Sequence, residues 1–113
     1  ATLQARTEGL LAAAAARDRE VYFRLKRSLH EAMVAAAYNT TLTGTMGPLH
    51  AQSRRFWCAH EPTASFLDCA GIHAAIVAGI AARDVARALA EIGTLFDLLD
   101  RMTRRALDRQ PLV

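Results

Sequence analysis

Lys26 and His30 form the first pair of side chains whose types and spacing could do chemistry. They lie four residues apart in the segment LKRSLH, and two such residues share one face of a helix. If His30 were a metal ligand, its helical neighbour should be a carboxylate or another histidine, because a cation repels a cation. The pair is therefore the remains of a metal site, part of another kind of ligand pocket, or an ordinary solvated face.

The chain has four histidines, at positions 30, 50, 60 and 73. His30 and His73 are expected to face inward on long helices, whereas His50 lies at the edge of an apolar stripe and His60 at an exposed helix end. A lone inward histidine is more often a hydrogen-bonded structural residue than a ligand. Because a metal ion needs three or four ligands, two imidazoles alone are insufficient.

Cys69 and His73 are also four residues apart and could form a thiol–imidazole couple. Nothing nearby in the sequence would orient the imidazole, so a packed core cysteine is the favoured interpretation. The sequence has no nucleophile elbow, no glycine-rich phosphate loop, no His-Glu-x-x-His and no paired inward carboxylates. These patterns favour a binding domain and not an enzyme.

Hydrophobic periodicity predicts helices and no strands. The predicted helices cover about 2–16, 18–38, 41–60, 63–82 and a segment from 84 past 102. Asp18 and Asp84 are predicted N-caps, Asn39 is expected to end the second helix, and Thr40 or Thr41 to cap the third. The fold class is therefore all-α: an antiparallel helical bundle of five to six helices, forming a single domain over residues 1–113.

The apolar face of each helix is expected to point inward, and Pro48 is expected to kink the third helix. The predicted inward residues are Tyr22, Leu25, Leu29, Met33, Leu42, Met46, Leu49, Phe56, Trp57, Phe66, Cys69, Ala70, His73, Val77, Ile80, Val85, Leu89, Ile92, Leu95 or Phe96, Leu99 and Met102.

Composition limits the functions available to the chain. With 113 residues, 52% of them hydrophobic, and a net charge of +3, it lacks the concentrated basic surface of a nucleic-acid-binding domain. Its two cysteines lie in apolar helical patterns, which favours a reduced, cytoplasmic protein. No apolar run is expected to reach the ~18 residues of a membrane span. Since the first residue is alanine, we expect the chain to be part of a longer protein.

The order of several residues resembles a known family. A histidine is followed by an asparagine, then by two arginines late in a long helix, then by a second histidine with isoleucines and an aspartate cap. The positions are His30, Asn39, Arg54, Arg55, His73, Ile76, Ile80, Asp84 and Ala88. Over about residues 3–105 this pattern resembles the effector-binding FCD domain of the FadR subfamily of GntR transcription regulators. The resemblance implies that an opening helix and a winged-helix DNA-binding domain precede the segment.

The resemblance also implies a metal site built from an aspartate and three histidines. Carried over residue by residue, these ligands fall on Lys26, His30, His73 and Leu95. Two of the four are replaced, so we expect no metal cofactor and a vestigial site at His30 and His73. Lys26 then either holds an anion or extends to solvent while Leu95 fills the pocket. A buried Lys26 without a counter-charge would be costly.

The family places an effector-binding arginine near Arg54 and Arg55. At about 100° per residue, Arg54 falls about 120° from Leu42, close to the apolar face, and Arg55 falls on the far side. Arg54 is therefore the candidate to hold a carboxylate in bidentate fashion. The alternative is an arginine on the bundle surface.

The leading hypothesis is an effector-sensing and dimerisation domain of a bacterial regulator. Its effector would be a small organic acid, and the candidate binding residues are Arg54, Lys26, His30, His73, Tyr22 and Leu95. We expect a homodimer, because so apolar a small bundle leaves hydrophobic surface uncovered, and specific DNA contact only through the preceding domain. The alternative is a helical interaction or scaffold domain with no small-molecule ligand.

Overall fold

The computed structural model describes residues 2–109, which form five α-helices. The helices are α1 (Leu3–Ala16), α2 (Arg19–Ala36), α3 (Thr40–His60), α4 (Phe66–Ala81) and α5 (Val85–Arg109), with a 3-10 turn at Thr63–Ser65. Residues 2–109 contain no strand, so the prediction of an all-α helical bundle is confirmed. The assignment of residues 1–113 to one domain remains a prediction.

Polar side chains begin four of the helices, and Thr2 is the N-cap of α1. The carboxylates of Asp18 and Asp84 each accept a hydrogen bond from the backbone N–H three residues later, as predicted. Asn39 was expected to end α2, with Thr40 or Thr41 capping α3. Instead the side-chain oxygen of Asn39 accepts from a backbone N–H in the first turn of α3 at 2.9 Å, so Asn39 is itself the cap.

The core forms where α4 packs between α1 and α5, and α2 packs against α1. The rings of Tyr22 and Phe66 stack with centroids 4.0 Å apart, and Phe23 meets both edge-on. Leu10, Leu29 and the aromatic pair Tyr22 and Phe66 are inaccessible to solvent. This aromatic centre fixes α2 against the start of α4.

The first half of α3 lies mostly in solvent. α3 continues through Pro48 as one helix and packs mainly on α2. Leu49 is 54% exposed, so the expectation that it faces inward is wrong, whereas Leu42 is 37% exposed and borders a cavity between the helices. The reason is that the first half of α3 has a neighbouring helix mainly on one side. Trp57, near the end of α3, is buried as predicted.

α5 buries only part of its apolar face. Leu98, Met102 and Ala106 pack into the core. The exposed apolar residues of α5 are Val85, Leu89, Phe96 and Leu107, exposed by 71, 61, 64 and 56%. At about 100° per residue they fall within about 40° of each other, and we call them the α5 stripe. The expectation that Val85 and Leu89 face inward is wrong, because α5 packs mainly against α4. Ile80 on α4 is 45% exposed but also borders a cavity between the helices, so it faces inward in part.

α4 is the most apolar helix. Together with the turn before it, Thr63–Ala81 is the one described segment long and apolar enough to cross a membrane by length and composition. The expectation that no run reaches this length is therefore wrong. Phe66, Cys69, His73 and Val77 nevertheless lie buried in protein along α4, and the core helix of a bundle passes the same test. One such segment is weak evidence for a membrane span.

Candidate functional site: a histidine-lined cleft

Three histidines from three helices meet beside the core. The Nε2 atoms of His30 on α2 and His73 on α4 lie 3.3 Å apart. The ring of His50 on α3 stacks on that of His30 with centroids 4.4 Å apart and an interplanar angle of 17°. The meeting of His30 and His73 was expected from their inward positions on neighbouring helices. The contribution of His50 was missed, because its place at the edge of an apolar stripe does not show which helix it meets.

The three imidazoles line a cavity of about 450 Å³ between α2, α3, α4 and α5, which we call the histidine cleft. Its other lining residues are Met33, Val34, Leu42, Met46, Ile76, Ile80, Ile92 and Leu95. A smaller inner end of about 210 Å³ shares the histidines and Leu95 and adds Lys26, Ser53, Trp57, Phe96 and Leu99. Of the predicted site residues, His30, His73 and Leu95 therefore border this mostly apolar cavity, and Lys26 borders its inner end.

Burial lowers the pKa of all three imidazoles. For His30, burial is the largest cause, followed by His73 and His50, and the pKa falls to about 2. For His73, burial followed by the charge of Lys26 lowers the pKa to about 4. Burial followed by the charge of Arg54 lowers the pKa of His50. The three rings are therefore uncharged at neutral pH.

An uncharged imidazole has one donor and one acceptor, and the contacts assign them. Nδ1 of His73 lies 2.8 Å from the carbonyl oxygen of Cys69, which can only accept, so this nitrogen carries the proton. Nε2 of His73 is then an acceptor, and Nε2 of His30 donates to it. Nδ1 of His30 is left as an acceptor, buried and without a hydrogen-bond partner within residues 2–109.

Behind the histidines lies an ion-pair cluster, which consists of Tyr22, Lys26, Glu61 and Cys69. Nζ of Lys26 lies 3.4 Å from a carboxylate oxygen of Glu61 and 3.4 Å from Sγ of Cys69. The hydroxyl of Tyr22 donates to the other carboxylate oxygen at 3.2 Å. Lys26 is 4% and Glu61 1% exposed. The expectation that an inward Lys26 must hold an external anion or turn to solvent is therefore wrong, because Glu61 supplies its counter-charge.

Glu61 is a second residue of this region, after His50, that the sequence did not reveal. The Glu61–Pro62 pair predicts a chain break, and α3 does end there, but the pattern does not show that the side chain turns inward. Arg19 stabilises this end of α3 by donating to the carbonyl oxygens of Cys58 and Glu61. Burial, with added effects of Cys69 and Glu61, raises the pKa of Tyr22, so its hydroxyl remains a donor.

Arg54 lies next to the cleft and not in its main part. It is half-buried while Arg55 is exposed, which matches the geometry expected from the sequence. Arg54 lines a groove of about 270 Å³ that also contains Arg27 and shares Val34 and His50 with the cleft. Burial, followed by the charge of Arg27, lowers its pKa. Its Nη1 is buried and has no hydrogen-bond partner in the described part of the chain.

The donor set does not fit the four-ligand metal site that the family resemblance implies. The Nε2 atoms of His30 and His73 have a spacing that two ligands of one ion can adopt. The ammonium of Lys26 and the aliphatic side chain of Leu95 stand at the other two ligand positions. Across residues 2–109, no group of three or more His, Cys, Asp or Glu side chains is arranged to hold a metal ion. That the protein binds no metal remains a prediction.

The fold and cavity define an all-α bundle with an internal, mostly apolar cleft. The family model of the FCD domain matches residues 1–109, so the chain belongs to the FCD domain family. FCD is the C-terminal domain of GntR regulators, a regulatory domain of soluble bacterial transcription factors and not an enzyme family. The resemblance of the sequence to the FCD domain is therefore confirmed. Neither a search of the curated proteins nor a search of the solved structures gave a match.

Proposed function

We propose that the chain is the effector-sensing and dimerisation domain of a bacterial GntR regulator of the FadR subfamily, with a small organic acid as effector. The observation that carries this proposal is the convergence of His30, His50 and His73 on a cleft of about 450 Å³. A few uncharged polar groups in a mostly apolar cavity are typical of a small-molecule site. Effector binding would shift a cytoplasmic homodimer between arrangements and so change DNA binding by an attached winged-helix domain.

Each predicted site residue has a place in this proposal. His30, His73 and Leu95 line the cleft and contact the effector. Arg54 binds its carboxylate from the adjoining groove through paired N–H donors. Lys26 and Tyr22 act indirectly, because both already bond to Glu61 and hold α2 against the end of α3.

The dimer would form through the α5 stripe, with a second copy of the chain as partner. A two-fold axis would bring the stripe against itself and cover four exposed apolar side chains at once. Phe96 belongs to the stripe and also lines the inner end of the cleft, next to Leu95. An effector that contacts Leu95 therefore acts on the helix that makes the dimer contact.

A thermal-shift screen of organic acids against this chain tests the function directly. A binding acid should raise the melting temperature, and titration calorimetry should then give its affinity. Arg54→Ala should weaken binding by roughly 2–5 kcal/mol, the range for removing one partner of a buried charge pair. Arg55→Ala is the matched control, since Arg55 is exposed on the same helix. An acid bound equally by wild type and Arg54→Ala would place its carboxylate elsewhere.

The alternative is a helical interaction or scaffold domain with no small-molecule ligand, and the exposed α5 stripe favours it. Sedimentation at tens of micromolar, an order-of-magnitude choice, should show a dimer that Phe96→Asp disrupts. Leu67→Asp is the control, because Leu67 is similarly exposed but lies on α4. Self-association without a response to any acid in the screen would support the alternative.

A further inference from the structure

Apolar side chains make up most of the histidine cleft. Of its eleven lining residues eight are apolar and three are histidines, and none is an aspartate, glutamate, lysine or arginine. A compact acid with several carboxylates would lose its hydration there without a charged partner to offset the cost. An alkyl chain or aromatic ring would instead gain by leaving water. Met33 and Met46 have flexible side chains, which can pack against an alkyl chain or an aromatic ring.

Cations near the cleft differ in whether a carboxylate of the protein forms a direct ion pair with them. Lys26 is paired with the buried Glu61, and the exposed Arg27 is paired through its Nε with Glu31 at 2.8 Å. Nη1 of Arg54 is buried and has no hydrogen-bond partner within the described residues. Because the groove of Arg54 and the cleft share Val34 and His50, a carboxylate at Arg54 would lie one side chain away from a group in the cleft.

We propose that the effector is an amphipathic monocarboxylic acid, with its alkyl chain or aromatic ring in the histidine cleft and its carboxylate on Arg54. His50 lies between the two compartments and turns aside to let the ligand reach the buried Nη1 of Arg54. The carboxylate needs no metal ion, since Arg54 supplies the positive charge. This inference rests on the proposed function and names the chemical class of its ligand.

Calorimetric titration with butanoate, hexanoate, octanoate, octanamide and citrate tests the class. Affinity should rise about fourfold for each methylene added in the carboxylate series, because each one leaves water on binding. Octanamide has the same apolar chain without the charge and should bind at least tenfold more weakly than octanoate. Citrate should bind more weakly than any acid of the series that fills the cleft.

Two pairs of variants measure separately how the alkyl chain and the carboxylate of the ligand contribute to affinity. Arg54→Ala should weaken octanoate at least tenfold and leave octanamide unchanged, whereas Arg55→Ala should change neither. Leu42→Gln should weaken octanoate and octanamide alike, because Leu42 lines the cleft. Leu49→Gln is the control for Leu42, since Leu49 is exposed on the same helix and is not among the cleft residues. Circular dichroism should show the same helix content in all four variants.

The outcomes distinguish this inference from the function on which it rests. If citrate or another compact polar acid binds more tightly than octanoate, the inference is overturned while the effector-sensing function stands. Octanamide binding as tightly as octanoate would overturn the role of Arg54. If neither these probes nor any acid in the thermal screen binds, the proposed function fails as well.

Discussion

The ion-pair cluster and the histidine cleft are adjacent, but they differ in whether their buried polar groups have hydrogen-bond or ion-pair partners. In the cluster, the ammonium of Lys26 meets the carboxylate of Glu61, which also accepts from Tyr22. In and beside the cleft, Nδ1 of His30 and Nη1 of Arg54 have no partner among the described residues. Since buried polar groups are normally hydrogen-bonded, the cluster is a complete structural unit and the cleft is a surface that a ligand can complete.

The ion-pair cluster also affects the protonation of the histidines in the cleft. The charge of Lys26 is held in place by Glu61 and lies close enough to lower the pKa of both His30 and His73. The cluster therefore helps to keep the imidazoles neutral, able to donate and accept hydrogen bonds. Because Lys26 is already paired with Glu61, the proposal assigns the carboxylate of the effector to Arg54.

The largest change to this arrangement replaces Lys26 by a side chain that can bind a metal ion together with the histidines of the cleft. Lys26→Asp with Leu95→His restores the four-ligand set that the family resemblance implies and should bind Zn²⁺ with micromolar affinity or better, about 8 kcal/mol. Glu61 loses its counter-charge in this variant, so the metal-free form should melt lower than wild type and recover with metal.

Elemental analysis of protein purified without an affinity tag measures the metal content. Wild type and Lys26→Asp alone are the controls, and neither should retain a stoichiometric metal. A chelator-resistant metal bound to wild type through His30 and His73 would contradict the interpretation of the site as vestigial.

Glu61→Ala should cause the largest loss of folding stability. It leaves the ammonium of Lys26 buried without a partner, which typically costs about 3–5 kcal/mol. Urea denaturation measures the free energy of unfolding, and the double variant Lys26→Met with Glu61→Leu should recover much of the loss. The control is Glu31→Ala, because the Arg27–Glu31 pair is exposed and contributes little. Equal stability of Glu61→Ala and wild type would show that the ion pair is not formed in solution.

Acid should destabilise the protein through the cleft. The folded-state pKa values of His30, about 2, and His73, about 4, lie below the ordinary 6.5, so the unfolded chain takes up these protons first. Stability is therefore complete above pH 6.5 and is lost as the pH falls through 5 toward these values. At pH 5 the loss should be about 2 kcal/mol for each histidine. Urea unfolding at pH 7.5 and pH 5 measures it, and His73→Gln should remove about half of the difference.

His50→Ala should have the smallest effect on stability, below about 1 kcal/mol. His50 is half-buried, and its contact with His30 is a ring stack with centroids 4.4 Å apart. The same variant should change the affinity for octanoate, because His50 borders both the cleft and the groove of Arg54. A loss of several kcal/mol would mean that the cleft is as much a structural unit as the cluster.

Much of the fold could be predicted because its signals are local. Asp18 and Asp84 cap helices through contacts within a few residues, and apolar periodicity marks each helix. The inward faces were predicted less well where one helix covers only part of another. Val85 and Leu89 follow the apolar period of α5 but remain mostly exposed, and periodicity does not show which part of an apolar face a neighbouring helix covers.

The candidate site could be predicted only in part, for a similar reason. His30 and His73 face inward by position, and their helices pack so that the rings meet. Nothing local indicates that His50 joins them. Nor does the sequence show that the carboxylate of Glu61 turns back toward Lys26 across thirty-five positions of chain. Such partners depend on how α2, α3 and α4 are arranged together.

The sequence by itself determined the helices, their caps, the replacement of two family metal ligands and the resemblance to FCD domains. Those properties follow from residue types at short spacing, where backbone geometry sets which side chains share a face. The tertiary structure decided which charges neutralise each other and which polar atoms remain without partners. Coulomb energy and hydrogen bonding depend on distance and burial, and for Lys26, Glu61, His50 and Arg54 packing between helices sets both.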